Sequence, residues 1–178
     1  VIPHLCYKPG YRADGNCRAC VVEINGERTL APSCCRNVTA GMEVQSTSER
    51  AVKSQKMVLE MLLSDMPDTG YKWNEQDESQ QHGELSDWAA RMDVTVRPEL
   101  KALRREQPKS DYSHPAMAVN LDACIQCNRC VRACREEQVN DVIGYAMRGS
   151  HSEIVFDIGD TMGDSTCVAC GECVQACP

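Results

Sequence analysis

The chain has 178 residues, of which 25% are charged, a formal net charge of −7, and 13 cysteines beside only 1 Phe, 2 Trp and 5 Tyr. The acidic balance argues against a nucleic-acid or anionic-membrane surface, and no apolar run approaches the roughly 20 residues of a membrane span. A chain so poor in aromatic side chains and so rich in sulfur needs cross-links or metal to hold small domains together.

Residues 1–47 are rich in turns. VIPHLC lacks the charged start and apolar stretch of a signal peptide. CVVEI and RTLA flank the dipeptide Asn25-Gly26, a strong hairpin signal, and MEVQS reads as a further strand. Ser46 with Glu49 resembles a capping box. SERAVKSQKMVLEMLLSD is then predicted helical, with Ala51, Val52, Met57, Val58, Met61 and Leu62 on one buried face. Met57, Met61 and Met66 read as core filler.

From Pro67 to Gly83 the sequence is polar and predicts a mobile loop. ELSDWAARM and PELKALRRE follow as short helical patterns, with Pro98 in a first turn and Pro108 closing the second. Trp88 is expected to serve packing, and His82 and His114 are expected in loops. The stretch up to residue 113 reads as a connector with little chemistry in it.

After residue 113 the chain repeats itself. DACIQCNRCVRACR aligns with STCVACGECVQACP at an offset of 43 residues, and every cysteine coincides. VIGYAM and SEIVFDI, between the copies, read as two short strands. The domain plan is therefore 1–47, a connector over 48–113, and a duplicated unit over 114–178.

Disulfides are a poor account of these cysteines. Their count is odd, they fall in tight C-x2-C runs, and residues 36–123 contain none. Each repeat copy reads C-x2-C-x2-C-x3-C, whereas zinc ligands come as separated pairs around one tetrahedral ion. Three cysteines at successive threes suit a loop wrapped around one cluster, with backbone N–H groups turned inward. In two-cluster ferredoxins the fourth cysteine ligates the other cluster. Cys124, Cys127, Cys130 and Cys177 are thus expected on one [4Fe–4S] cluster, and Cys134, Cys167, Cys170 and Cys173 on a second. Arg129, Arg132 and Arg135, at successive threes, are expected beside the first cluster, where positive charge raises its potential.

Cys6, Cys17 and Cys20, with either Cys34 or Cys35, suit a [2Fe–2S] centre, although the first gap is longer than the plant-type four residues. A structural zinc site is the bland alternative. The chain contains no G-x-G-x-x-G after a strand for NAD, and no nucleophile–base pair stands out, so no catalytic residue is expected.

The repeat resembles the bacterial 2[4Fe–4S] ferredoxin family, with Pro178 after the last cysteine and Arg135 where the first copy would carry its proline. PHLCYKPGYRADGNCRACVVEI followed by SCCRNVTAGMEV resembles the [2Fe–2S] domain that opens the large iron–sulfur subunit of complex I, related hydrogenases and soluble formate dehydrogenases. In that family the last ligand lies seven residues before a Gly-Met pair. Cys34 stands seven before Gly41-Met42, so the resemblance implies Cys34, with Cys35 a spare thiol. The H-x3-C-x2-C-x5-C run usual between these regions in complex I and the hydrogenases is absent.

HPAMAVNLDACIQCNRCVRACREEQVNDVIGYA and DSTCVACGECVQACP are similar to the iron–sulfur front of the NAD-linked, molybdenum- or tungsten-dependent formate dehydrogenase alpha subunit. That resemblance implies an α+β fold: an incomplete β-grasp [2Fe–2S] ferredoxin-like domain, a helical connector, and a 2[4Fe–4S] bacterial-ferredoxin-like domain. Family members begin earlier and continue into a molybdopterin catalytic domain holding a bis-molybdopterin guanine dinucleotide with Mo or W, so this sequence reads as a fragment cut at both ends. The implied role is a cytoplasmic electron relay between that centre and an FMN- and NAD-binding diaphorase subunit, with a small [2Fe–2S] subunit as a further partner. Relay in a hydrogenase or in complex I, and a non-redox metal-stapled interaction module, are the alternative readings.

Overall fold

The computed structural model describes residues 1–67, 83–106 and 108–178. The fold is α+β, with short strands and helices arranged around three apolar clusters. In the N-terminal part, β1 (Val21–Ile24) is the centre of a three-stranded antiparallel sheet between β2 (Ala31–Pro32) and β3 (Val44–Gln45). Its register pairs Val22 with Ala31 and Ile24 with Val44. Asn25-Gly26 forms the expected turn: Gly26 has φ +81°, and Glu27 N–H donates to the Ile24 carbonyl at 3.0 Å. Val22, Ile24 and Ala31 bury their side chains on this small sheet.

Helix α1 (Glu49–Ser64) is capped by Ser48, whose hydroxyl accepts from the Ala51 N–H at 3.3 Å. The capping-box expectation at Ser46 is therefore displaced by two residues, and Glu49 lies inside the first turn, favourable against the helix dipole. The buried face is also rotated from the one expected. Ala51, Gln55, Leu59 and Leu63 point inward at intervals of four, whereas Met57 and Met61 are exposed. Of the three methionines read as core filler, Met66 alone is buried. A buried glutamine explains the shift: Gln55 Nε2 donates to the Val21 carbonyl at 2.8 Å and the Ser46 carbonyl at 3.3 Å. An apolar-pattern count gives no weight to a residue that is buried because it hydrogen-bonds a strand backbone.

Helix α2 (Glu84–Arg91) has the expected span, and Trp88 packs inward. Leu85, Trp88 and Ala89 join Leu5, Ala19, Leu59, Leu63 and Met66 in one core. Burying Leu59 completely contributes on the order of 2 kcal/mol. The connector is therefore structural partner to the N-terminal loops. The pattern expected to run helical through residue 106 stops early, as α3 (Pro98–Lys101). The mobile loop expected over 67–83, and His82 in it, lie almost wholly outside the described residues.

The C-terminal part holds α4 (Arg129–Arg132), which widens into a π-helical turn over Ala133–Glu137, then the antiparallel pair β4 (Ile143–Ala146) and β5 (Glu153–Phe156), then α5 (Glu172–Ala176). Val131, Cys134, Val142, Ile143, Ile154, Phe156 and Met162 form its core. Asp111, bridged to Val119, accepts from the Met162 N–H at 2.7 Å and so ties the start of this part to the segment just before the second repeat copy.

Candidate iron–sulfur centres

The two repeat copies fold alike down to single peptide units. Gln126 and Ala169, 43 residues apart, both take positive φ (54° and 56°), as do Asn128 and Gly171 (66° and 77°). In each loop the N–H of the residue at that first bend donates to the sulfur two positions back: Gln126 to Cys124 and Ala169 to Cys167, both at 3.4 Å. Three of these four residues carry a Cβ, so the left-handed bends are held at a local cost of order 1 kcal/mol each. Such bends turn successive N–H groups to one side, an arrangement suited to negative sulfur.

None of the thirteen cysteines is joined to another by a disulfide. The thiol neighbours of Cys127, Cys130 and Cys173 include cysteines from the other repeat copy. Burial pushes the Cys130 thiol well up, and Cys127, Cys124 and Cys177 raise it further, followed by Cys173. Burial pushes Cys127 up to about 12, with Cys177 and Cys124 again among the causes. Cys173 is pushed up to about 11 by burial and then by Cys167, Cys170 and Cys134. Clustered thiols of which several are buried resist becoming anions together, and ferric or ferrous iron would supply the positive charge that stabilises them. Cys134 is buried and accepts from the Val142 N–H at 3.3 Å, one step before β4. Among the described residues no three His, Cys, Asp or Glu side chains converge closely enough for one shared ion. Cluster ligands bind separate irons and do not have to meet at a point.

The N-terminal cysteines come from three separate segments. The Cys6 N–H donates to the Cys17 sulfur at 3.4 Å. The hydrogen bond with Cys17 is the main cause that lowers the Cys6 thiol to about 5; the Arg132 charge adds to it, while burial opposes it. The Cys17 thiol is correspondingly raised. Cys34 is half-buried and raised, first by burial and then by its hydrogen bonds with Cys20 and Cys35. The four residues thus stand as two pairs, Cys6 with Cys17 and Cys20 with Cys34. Cys35 is exposed, its sulfur 3.5 Å from that of Cys34 and pressed against Gly15. A Cβ at position 15 would sit 2.7 Å from the Cys35 sulfur, and Gly15 has φ +65°.

Arg129 lies beside Cys127 as expected, whereas Arg132 and Arg135 depart from expectation. Arg135 is exposed and pairs with Asp141 at 2.5 Å. Arg129 and Arg132 are 3% and 2% exposed, which a run of surface-type residues at successive threes does not announce. Arg129 holds Glu84 with both ends of its fork at 2.7 Å and donates to the Tyr7 carbonyl at 2.6 Å. Arg132 directs both ends of its fork to the carbonyls of Cys6 and Arg12 in the N-terminal loop. Arg105, in the supposed connector, donates to the Cys124 carbonyl at 3.0 Å and the Ser152 carbonyl at 3.1 Å. Sequence reasoning missed Arg105 entirely, and no local pattern marks it. Around these contacts the two ends of the chain are laced together. Lys8 reaches the Gln175 carbonyl at 2.5 Å, Tyr11 O–H donates to Glu172 at 2.7 Å, and Asn128 donates to Asp14 at 2.7 Å.

Residues 1–49 match the family described as "2Fe-2S iron-sulfur cluster binding domain", and residues 123–178 the "4Fe-4S dicluster domain". Across 99% of its length the chain is 33% identical to "NADP-reducing hydrogenase subunit HndD" of Solidesulfovibrio fructosivorans, spanning 30% of that protein. It is 27% identical to a "Putative formate dehydrogenase" of Staphylococcus haemolyticus (strain JCSC1435), spanning 17% of it, again over 99% of this chain. It is also 27% identical to an NADH-quinone oxidoreductase component of Rickettsia prowazekii (strain Madrid E), over 99% of this chain and 25% of the relative. The chain therefore spans less than a third of these curated relatives. The crystal structure of an NAD+-reducing [NiFe]-hydrogenase in its H2-reduced state superposes with a TM-score of 0.77 at 28% identity, over 95% of this chain and 69% of that one. Among the described residues no helix is long and apolar enough to cross a membrane. Residues 1–49 thus carry a [2Fe–2S] cluster-binding domain and residues 123–178 a [4Fe–4S] dicluster domain, which together make an iron–sulfur electron-relay segment.

Proposed function

We propose that twelve of the cysteines hold the three clusters in the sets expected above, with the fourth repeat cysteines exchanged. Cys124, Cys127, Cys130 and Cys177 hold one cubane; Cys134, Cys167, Cys170 and Cys173 hold the other. Cys6, Cys17, Cys20 and Cys34 hold the [2Fe–2S] centre, each of the two sulfur pairs taking one iron. The observation that supports this most is the packing of α4 on α5, which brings the two copies together. Beside Cys127 and Cys124, Cys177 and then Cys173 of the distant copy raise the Cys130 thiol, and Cys134 is among the groups that raise Cys173. Cys34 is preferred to Cys35 because it bonds Cys20 and is the less exposed of the two.

When bound, the clusters supply one-electron carriers. The polypeptide fixes their ligands on loops whose left-handed bends aim N–H groups at sulfur, and the α4–α5 packing keeps the two cubane sets adjacent. We assign the relay to an NAD-linked formate dehydrogenase. There it passes electrons from a bis-molybdopterin centre with Mo or W to an FMN- and NAD-binding diaphorase subunit, beside a small [2Fe–2S] subunit, in the cytoplasm. The hydrogenase relay is the second reading, favoured by the 33% identity to the hydrogenase subunit against 27% to the formate dehydrogenase relative. The test is reduction of the full-length protein's clusters by formate or by H2, followed by EPR. Formate-dependent signals support the first reading. Signals raised by H2 and not by formate support the second, and a zinc-loaded, EPR-silent protein contradicts both.

A further inference from the structure

Arg132 is the most buried large charged side chain of the described residues, and it belongs to the wrong module for its contacts. Its backbone lies in α4, between Cys130 and Cys134, one proposed ligand of each cubane. Its guanidinium crosses to the N-terminal loop, donating to the Cys6 and Arg12 carbonyls, while Nε donates back to the Asn128 carbonyl at 3.3 Å. The Tyr11 ring lies 6.0 Å away under the cation. The nearest counter-charge is Asp14, whose Oδ2 stands 4.0 Å from Nε and is itself held by Asn128 at 2.7 Å. Removing a guanidinium from water is costly, and one distant carboxylate offsets only part of that cost. Simple docking of the loop would need the hydrogen bonds without a buried charge.

We propose that Arg132 is a positioning residue for the [2Fe–2S] centre: it pins the Cys6 loop to the cubane helix and holds a fixed positive charge against that centre, raising its reduction potential. The inference rests on Cys6 being a [2Fe–2S] ligand. Reduction adds one negative charge to the site, and a buried cation stabilises the more negative state because little water screens it. The neighbouring arginines stand by other ligands: Arg105 donates to the Cys124 carbonyl at 3.0 Å, and Arg129 opens α4 two residues after Cys127. Three cations, all contributed by residues 105–132, are thus distributed over two different centres. The electron gained by the [2Fe–2S] site is lost by a reduced cubane, so Arg132 biases that exchange toward the N-terminal end.

The experiment is an EPR-monitored redox titration of the cluster-loaded full-length protein. Arg132→Met should shift the [2Fe–2S] one-electron equilibrium about tenfold toward the oxidised form, a fall of about 59 mV, and move the cubanes less. Arg132→Lys should keep most of the wild-type midpoint. Asp14→Asn, which preserves an acceptor for Asn128, should shift it in the opposite direction. The proposal fails if Arg132→Met leaves the [2Fe–2S] midpoint in place, if Arg132→Lys falls as far, or if Asp14→Asn lowers it. Should Arg132→Met not fold, the lysine and asparagine variants decide by the same criteria. A wild-type protein with no [2Fe–2S] signal overturns the ligand reading and this inference together; a signal with an unmoved midpoint overturns this inference alone.

Discussion

The two cluster regions are built by opposite strategies. In the repeat, spacing does the work: the same left-handed bends and the same N–H to sulfur bonds recur 43 residues apart, within loops of a few residues. At the N-terminus the cysteines come from three segments, and their placement is borrowed from elsewhere. Leu5 and Ala19 lean on α1 and α2, and the Cys6 carbonyl is held by Arg132 from the dicluster domain. A locally encoded site tolerates distant change, whereas a site assembled by tertiary contacts inherits every weakness of its supports.

That contrast predicts an asymmetry in cluster loss, the largest effect expected. A Cys6→Ser/Cys17→Ser double variant should lose the [2Fe–2S] EPR signal and keep the cubane signals. Cys130→Ser should lose a cubane and also deplete the [2Fe–2S] signal, because α4 carries the clamp. Equal independence in both directions would remove the distinction.

Next in size are changes at the seam. Glu84 compensates the buried Arg129, but its own side chain is 41% exposed. Glu84→Ala should therefore cost about 2 kcal/mol, below the 3–5 usual for a fully buried pair, measured by chemical denaturation. Gly15→Ala combines a φ of +65° with the close Cys35 sulfur and should cost on the order of 1–2 kcal/mol. Adding Cys35→Ala should restore the contact part of that loss while leaving the [2Fe–2S] signal intact; loss of the signal would make Cys35 the ligand.

The smallest effect lies away from both sites. Arg97 donates to Glu60 from its backbone N–H at 3.0 Å and its side chain at 2.8 and 3.1 Å, holding the Glu60 carboxyl below the ordinary glutamate range. A lowered folded value means the stabilisation is present above the unfolded glutamate pKa of about 4.3 and fades as pH drops through the folded value. The stability gap between wild type and Glu60→Gln should thus be constant from neutral pH to about 5 and close below it. A gap that widens in acid would contradict the pairing.

The same contrast decides what could be read from the sequence. The C-x2-C-x2-C-x3-C copies announced themselves because local spacing is what builds their loops. Asn25-Gly26 did so for the same reason. The rotated face of α1 was hidden because Gln55, a polar residue, is buried to satisfy the Val21 carbonyl. The roles of Arg105, Arg129 and Arg132 were hidden because each is set by a backbone carbonyl far along the chain. Periodicity reports a side chain's own segment, and these residues answer to another.

The most direct test of the exchanged ligands is native mass spectrometry with EPR on Cys134→Ser and Cys177→Ser in the full-length protein. Cys134→Ser should damage the cubane of Cys167, Cys170 and Cys173 and spare that of Cys124, Cys127 and Cys130, with Cys177→Ser doing the reverse. Damage confined in each variant to the cubane of the mutated cysteine's own sequence run would contradict the exchange.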